Sequence, residues 1–377
     1  MDKLHTAIPY VDLSAQWLEC EPGLLPVVLD ILRGGVYVNG EPVEEFESRA
    51  AKYLGVEHCV ALNSGTDALV CGLLAVGVRP GTEVITTANS FVASTAAICH
   101  LGAIPVFVDV LDDQGMDPDK IAPAITDKTS AVMPVHLTGK VCQMDRIMAV
   151  CSDAGLPVVE DAAQCIGAKF GGVFGGTVGD VGCFSAHPLK NLNALGDSGF
   201  VVTRNPDHAD RIRSMRNHGL VDRNTVQRFG YVSRMDVLQA AILSWKIDNQ
   251  LDSVNDRRRS NAGFYSDNLT SAIQKPYEDE ADWAVYHTYV IQTDKRDALK
   301  GYLDSHLVGS AIHYPIPIHR QPAYAHLNYA PGALPITERL CSEVLSLPIF
   351  PELNSEQQSA VINALKCLDS AQELITQ

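Results

Sequence analysis

The stretches LPVVED, residues 156–161, and CFSAHPLKNLNALGDSGF, residues 183–200, decide the fold of this 377-residue chain. Each opens as a short apolar run and then turns polar, at Asp161 in the first and at Ser185 and Lys190 in the second. Working outward, similar runs recur at 59–62, 83–87, 105–110, 131–135, 157–160, 181–185 and 199–203. Helical patterns at 64–75, 93–101 and 143–154 separate several of them. Strand–helix alternation predicts an α/β protein, a mostly parallel central sheet with helices on both faces. On such sheets ligands gather at the carboxyl ends of the strands, so the residues just after each strand become the candidates for chemistry.

A long helix is expected from Ser233, with Asp236 completing a capping box and Met235, Leu238, Ile242, Trp245 and Leu251 forming an apolar stripe. Its polar end, 252–261 with DRRR inside, reads as the crossing into a smaller α+β domain. The expected division is therefore 1–250, a large domain, and 251–377, a small one. Pro315, Pro317, Pro322 and Pro348 mark loops in the second part.

Composition narrows the function. The chain carries 45 acidic against 29 basic residues, a formal net charge of −16, which argues against nucleic acid or an anionic membrane as its main partner. The weakly charged stretch 91–110 contains His100, Gly102 and Pro105, and reads as a helix and a strand, not a membrane span. The N-terminus shows no basic segment followed by an apolar core, so the expectation is a cytoplasmic protein. Ten cysteines without a CxxC pair read as small buried hydrophobes in a reducing compartment, and no metal site is expected. The glycines at 171, 172, 175, 176, 179 and 182 never give a GxG spacing; they read as a hairpin, not a dinucleotide fingerprint.

Lys190 and Asp161 carry the chemistry. A lysine that forms a Schiff base and a carboxylate that pairs with a pyridinium nitrogen are the two groups that pyridoxal 5′-phosphate (PLP) needs. Burial of Lys190 in the strand-end crevice would lower its pKa and make the amine nucleophilic. The alternative for Lys190 is an ordinary exposed lysine, and for Asp161 a helix cap or turn. Glu160 should face the opposite side of its strand. Ser64, Gly65 and Thr66 at a helix start offer an anion site, with Ser185 adding a hydroxyl. Gln164 would lie near the ring's phenolic oxygen. Phe91 suits stacking on a flat ring or packing in the core.

These residues sit in a series of longer motifs: YVNGEPVEEFE at 37–47, ALNSGTDAL at 61–69, ITTANSFVAST at 85–95, PVHLTG at 134–139 and VVEDAAQCIGA at 158–168. FSAHPLKNLNALGDSG at 184–199, RNHG at 216–219, SRMDVLQAAIL at 233–243, HYPIPIHRQPAY at 313–324 and LSLPIFPEL at 345–353 continue it. Over nearly its whole length the chain resembles the DegT/StrS-type sugar aminotransferases, PLP enzymes of fold type I, the aspartate-aminotransferase fold.

The resemblance implies that Lys190 is the Schiff-base lysine, Asp161 the partner of the ring nitrogen and Gln164 the neighbour of the ring oxygen. It also implies that Gly65, Thr66 and Ser185 bind the phosphate and that Phe91 stacks on the ring. It further implies a homodimer with shared active sites, an amino-acid donor, usually glutamate, and a keto-sugar acceptor, nucleotide-linked. Tyr314, His319 and Arg320 are candidates on the substrate side, as is Arg33, with loop packing as the alternative. The family usually places Asn before the Ser-Arg of SRMD; here that position is Val232, so one cross-subunit phosphate contact is missing or replaced. Other readings are the same chemistry on a keto-cyclitol, a sugar dehydratase and a non-catalytic PLP-binding regulator. Family dehydratases carry histidine in place of the lysine, so Lys190 argues against that role.

Overall fold

A computed structural model describes residues 7–271 and 273–375, with side chains to residue 366. Among the described residues nine strands precede residue 204: β1 (His58–Leu62), β2 (Glu83–Thr87), β3 (Ile104–Val108), β4 (Thr129–Val132), β5 (Val159–Asp161), β6 (Lys169–Phe170), β7 (Val173–Phe174), β8 (Val181–Ser185) and β9 (Gly199–Thr203). They pair in the orders β1-β9-β8-β5 and β3-β2-β4. Parallel bridges Val132–Val158 and Val135–Asp161 join the two sets into one sheet. Within it only β9 runs antiparallel to its neighbours.

Alternation along the strands explains why this sheet is covered on both faces. Cys59, Ala61, Ile85, Phe184, Phe200 and Val202 belong to one apolar cluster, with side chains from the helices Glu41–Leu54, Met144–Ala154 and Val237–Asn249. Their strand neighbours Val60, Leu62, Val84, Cys183 and Val201 belong to another, with the helices Gly65–Ala75, Val92–His100 and Pro206–Met215. A strand buried on both faces has no polar side, which is why these runs read as continuously apolar. The rings of Phe184 and Phe200 stack 4.8 Å apart, 6° from parallel, on the first face.

Element boundaries moved where prolines intervene. The strand expected at 131–135 is β4, ending at Val132 ahead of Pro134; the one expected at 157–160 is β5, beginning after Pro157. Pro134 and Pro157 still serve as acceptors, of Asp161 N–H and Val132 N–H. The helix expected from Ser233 begins instead at Val237, with Asp236 at its N-cap and no side-chain cap. Ser233 is buried and its hydroxyl bonds Asn63 Oδ1, so it was unavailable for capping. Gln250 breaks the helical run, and a separate helix covers Leu251–Asn268.

The DRRR segment lies inside that second helix. Arg258 is buried and donates to the carbonyls of Tyr286 and His287, while Arg259 pairs with Glu278. The same helix carries Asn255, bonded to Ile166 O, and Tyr265, bonded to Pro348 O. Beyond it, β10 (Asp282–Trp283) pairs with β6, and β11 (Tyr289–Gln292) pairs antiparallel with β12 (Val344–Leu347). A third apolar cluster forms around β11 and β12 with the helices Leu251–Asn268, Arg296–Ser305 and Ser355–Ile375, and it includes Ile8. β6 and β7 make the expected glycine hairpin, with Gly171 and Gly172 at positive φ.

Residues 91–110 fold as the helix Val92–His100, a turn and β3. Among the described residues no helix is long and apolar enough to cross a membrane, and no cluster of ligating side chains could hold a metal ion.

Candidate active site

The carboxyl ends of β1, β2, β4, β5 and β8 converge on a cavity of about 380 Å³. After β1, Ser64 caps the helix Gly65–Ala75: its Oγ accepts from Asp67 N–H at 3.1 Å. The amides of Gly65 and Thr66 precede the first intrahelical bond, from Ala68 N–H to Ser64 O, so the helix itself leaves them unpaired. Gly65 is required by close approach: a Cβ there would lie 2.6 Å from Ser185 Cβ. After β2, Phe91 is the N-cap of the next helix and is half-exposed at the cavity wall, not packed in a core. Its ring centroid is 5.7 Å from that of Tyr314.

Strand β5 ends at Asp161, which faces the cavity, while Glu160 faces the other way. Ser94 Oγ donates to Asp161 Oδ2 at 2.6 Å, and Ala163 N–H donates to Oδ1 at 3.2 Å. Burial pushes the Asp161 carboxyl up, while Ser94, Ala163 N–H and the charge of Lys190 pull it down. Gln164 accepts from Thr138 N–H at 2.8 Å and shares a hydrogen bond with Tyr314.

Lys190 stands on the loop after β8. Its N–H donates to His187 O, and Ala186 and Ala194 tie the loop's ends together. Next to it, Asn191 is buried and bonds Asn255 Oδ1 and Val285 O. Burial lowers the Lys190 amine to about 8, against the pull of Asp161, which favours the ammonium.

Of the sequence candidates, the structure brings Ser64, Gly65, Thr66, Phe91, Asp161, Gln164, Ser185, Lys190 and Tyr314 to this cavity. The other three do not line it. Arg33 is exposed and pairs with Asp30 on its own helix. His319 is buried with its Nε2 3.2 Å from Glu338, and Arg320 is exposed and donates to Tyr329 O. Val232 is exposed, in an isolated bridge with Asn217. Residues that sequence reading missed include Ser94, His136, His287 and His313, all on the cavity wall. Ser94 follows Phe91 by three residues and so returns to the same side of the helix, a signal that was available. Burial, then the charge of Lys190, keeps His287 well below the usual imidazole range and His313 at about 4.

Residues 22–366 match the DegT/DnrJ/EryC1/StrS aminotransferase family. The chain belongs to that family. It is 41% identical over 365 residues to the UDP-N-acetyl-3-dehydro-alpha-D-glucosamine 3-aminotransferase of Acidithiobacillus ferrooxidans, covering 96% of this chain and 98% of the relative. It is 39% identical to a pleiotropic regulatory protein of Geobacillus stearothermophilus, over 95% of this chain and 97% of that one. The X-ray structure of S. venezuelae DesV superposes with a TM-score of 0.93 at 38% identity, covering 95% of this chain and 97% of DesV.

This DegT/DnrJ/EryC1/StrS chain has the donor set that a phosphorylated, aldehyde-bearing heterocycle needs. Free first-turn amides and three hydroxyls suit a phosphate. A buried carboxylate suits a protonated ring nitrogen, a desolvated amine suits the aldehyde, and the exposed face of Phe91 suits the ring.

Proposed function

We propose that this chain is a PLP-dependent aminotransferase that moves an amino group from an amino-acid donor, L-glutamate, to the keto carbon of a nucleotide-linked sugar. The observation that carries this reading is the pairing of Lys190 and Asp161 on one cavity, close enough that each shifts the other's proton affinity. Relatives named for UDP- and dTDP-linked sugars support the substrate class. A PLP-binding regulator would hold the cofactor on the same two groups, so turnover with a keto-sugar acceptor is what separates the two readings.

Gly65, Thr66, Ser64 and Ser185 would hold the phosphate, Asp161 the ring nitrogen, Gln164 the ring oxygen and Lys190 the aldehyde carbon. When bound, the cofactor supplies an electron sink for the carbanion formed at the donor carbon. Lys190 Nζ then serves as the proton carrier. With its pKa at about 8, roughly a tenth of the amine is neutral at pH 7, against fewer than about one in a thousand for an ordinary lysine. Asp161, held by Ser94 and Ala163, would offer its carboxylate to the ring nitrogen and favour the protonated form of the ring. His287 and His313, neutral at this pH, add no competing cation.

We further infer a homodimer whose partner completes the site. Val36, Tyr37, Val38, Phe229, Tyr231 and Val232 are exposed apolar residues, more than an isolated surface would scatter singly. Residues 1–250 and 251–377 remain our proposed domain division.

The decisive assay offers the PLP-loaded protein L-glutamate with a panel of nucleotide-linked keto sugars and keto-cyclitols, and follows 2-oxoglutarate release. Release with a nucleotide-linked sugar supports the reading. Release with free cyclitols alone would move the substrate assignment, and no release with any acceptor would remove the enzymatic role. Borohydride treatment should fix the cofactor on a peptide containing Lys190.

A further inference from the structure

We propose that a second cavity, behind the loop that carries Lys190, binds a small carboxylate with an apolar tail, held by Lys246. The cavity measures about 250 Å³ and lies between the helix Leu13–Gly34, the helix Val237–Asn249 and the loop from Pro188 to Leu195. Its walls are mostly apolar, with Leu13, Trp17, Leu24 and Leu195 among them.

Gln16, Asn193 and Lys246 are the polar lining, and of these Lys246 alone carries a charge. It is 4% exposed, yet it makes no ion pair among the described residues. Among the described residues the ammonium makes one hydrogen bond, to the neutral Asn193 Oδ1 at 2.6 Å. An ammonium has three donors, so the group lines the cavity with hydrogen-bonding capacity unspent. Burying a cation without a directly paired counterion is costly, and no carboxylate among the described residues forms an ion pair with this one. Glu352, whose charge favours the ammonium, pairs instead with Arg257 at 3.7 Å; Cys20, the other group acting on Lys246, bonds Gln250. Burial correspondingly drops the amine to about 8. A single cation on apolar walls is matched by a monoanion bearing an apolar tail. A dianion would leave a net charge in the same low-dielectric space.

This site is linked to the catalytic loop. Asn193 Nδ2 donates to Pro188 O at 2.7 Å and to Gln16 Oε1 at 2.7 Å, so Asn193 clamps the turn that precedes Lys190. An anion on Lys246 Nζ would share or take the bond that fixes Asn193. The pocket thus offers a small acid a hold on the segment that carries the amine.

The test is calorimetric titration of the full-length, PLP-loaded protein with hexanoate and with hexanamide. Saturable binding of hexanoate, at least about tenfold tighter than hexanamide, is expected, the factor that one charge-assisted hydrogen bond supplies. Lys246→Met should weaken hexanoate binding about tenfold, while Lys190→Ala should leave it unchanged, which separates this cavity from the catalytic one. Should Lys246→Met fail to fold, a wild-type crystal soaked in hexanoate decides. A carboxylate in contact with Lys246 Nζ supports the site. An empty cavity, or one filled by side chains of a second copy, overturns it. So do equal affinities for the acid and the amide, full binding in Lys246→Met, or loss of binding in Lys190→Ala.

Discussion

Two carboxylates adjoin on β5 and face opposite sides of it, and their surroundings differ completely. Glu160 is fully buried and accepts four hydrogen bonds: from His136 Nε2, Gly176 N–H, Val178 N–H and Gly179 N–H, at 2.6–2.8 Å. The other nitrogen of His136 accepts from Cys142 N–H, which fixes the imidazole as the Nε2–H donor. Gly176 sits at φ 83° with its backbone against Phe184, where a Cβ would lie 2.3 Å from the ring, so the amide reaches Glu160 only because the residue is glycine. Asp161 accepts two bonds and borders open volume. A carboxylate with all its lone pairs satisfied by fixed donors is a structural part. One left half-satisfied beside a desolvated amine retains capacity for a ligand.

The sharpest way to break this comparison is Lys190→Ala. If the Asp161 side is the chemical side, amino transfer should fall by about 10³-fold or more, because the proton carrier is gone. Circular dichroism should show an intact fold, since the change also removes a buried amine. Wild-type turnover in this variant would end the assignment.

Asp161→Asn keeps shape but not charge, and should cost about 10²–10³-fold in turnover. It also has a proton signature. Asp161 favours the ammonium form of Lys190, so its removal should carry the amine further below about 8. In cofactor-stripped protein, labelling of Lys190 by an amine-specific reagent should rise with pH through about 8 and level off above it, because the neutral amine is the reactive form. In Asp161→Asn the same curve should sit at lower pH. A curve that does not move would mean the two groups are electrostatically independent.

Glu160→Gln tests the other face. The amide puts an N–H₂ against backbone donors, and the expected loss is about 3 kcal/mol of stability, read from a urea midpoint at unchanged slope. Turnover per folded molecule should change little. Loss of turnover with stability intact would reverse the roles given to the two residues.

What the sequence disclosed follows the same physical divide. Strand alternation and strand-end positions are local properties, so the sheet, the helix start at Ser64 and the placement of Asp161, Ser185 and Lys190 were readable. The opposed orientation of Glu160 followed from strand parity, but its four donors did not, since three of them come from the 176–179 loop. Ser233 matched a capping pattern and failed because Asn63, 170 residues away, takes its hydroxyl. His287 and His313 reach the cavity from the far end of the chain, and no spacing announces that. Arg33, His319 and Arg320 do not line this cavity: Arg33 is on an exposed helix end, His319 is buried against Glu338, and Arg320 is exposed.

Ser94→Ala is the smallest expected effect and the finest probe of the difference. Among the described residues Ser94 Oγ is the one side-chain hydroxyl bonded to Asp161, and it is itself paired with Ser90 Oγ at 2.7 Å. Removing it deletes a single hydrogen bond to a charged group, of about 1–2 kcal/mol, so cofactor affinity should fall roughly five- to thirtyfold. Fold stability should barely move, because Asp161 still borders the cavity and can be solvated there. On the Glu160 side no donor could be lost so cheaply, since nothing fills its place. A PLP titration of Ser94→Ala beside its melting curve separates the cases: weaker binding at constant stability marks a carboxylate aimed at a ligand. The opposite pattern would make Asp161 a packing residue like its neighbour.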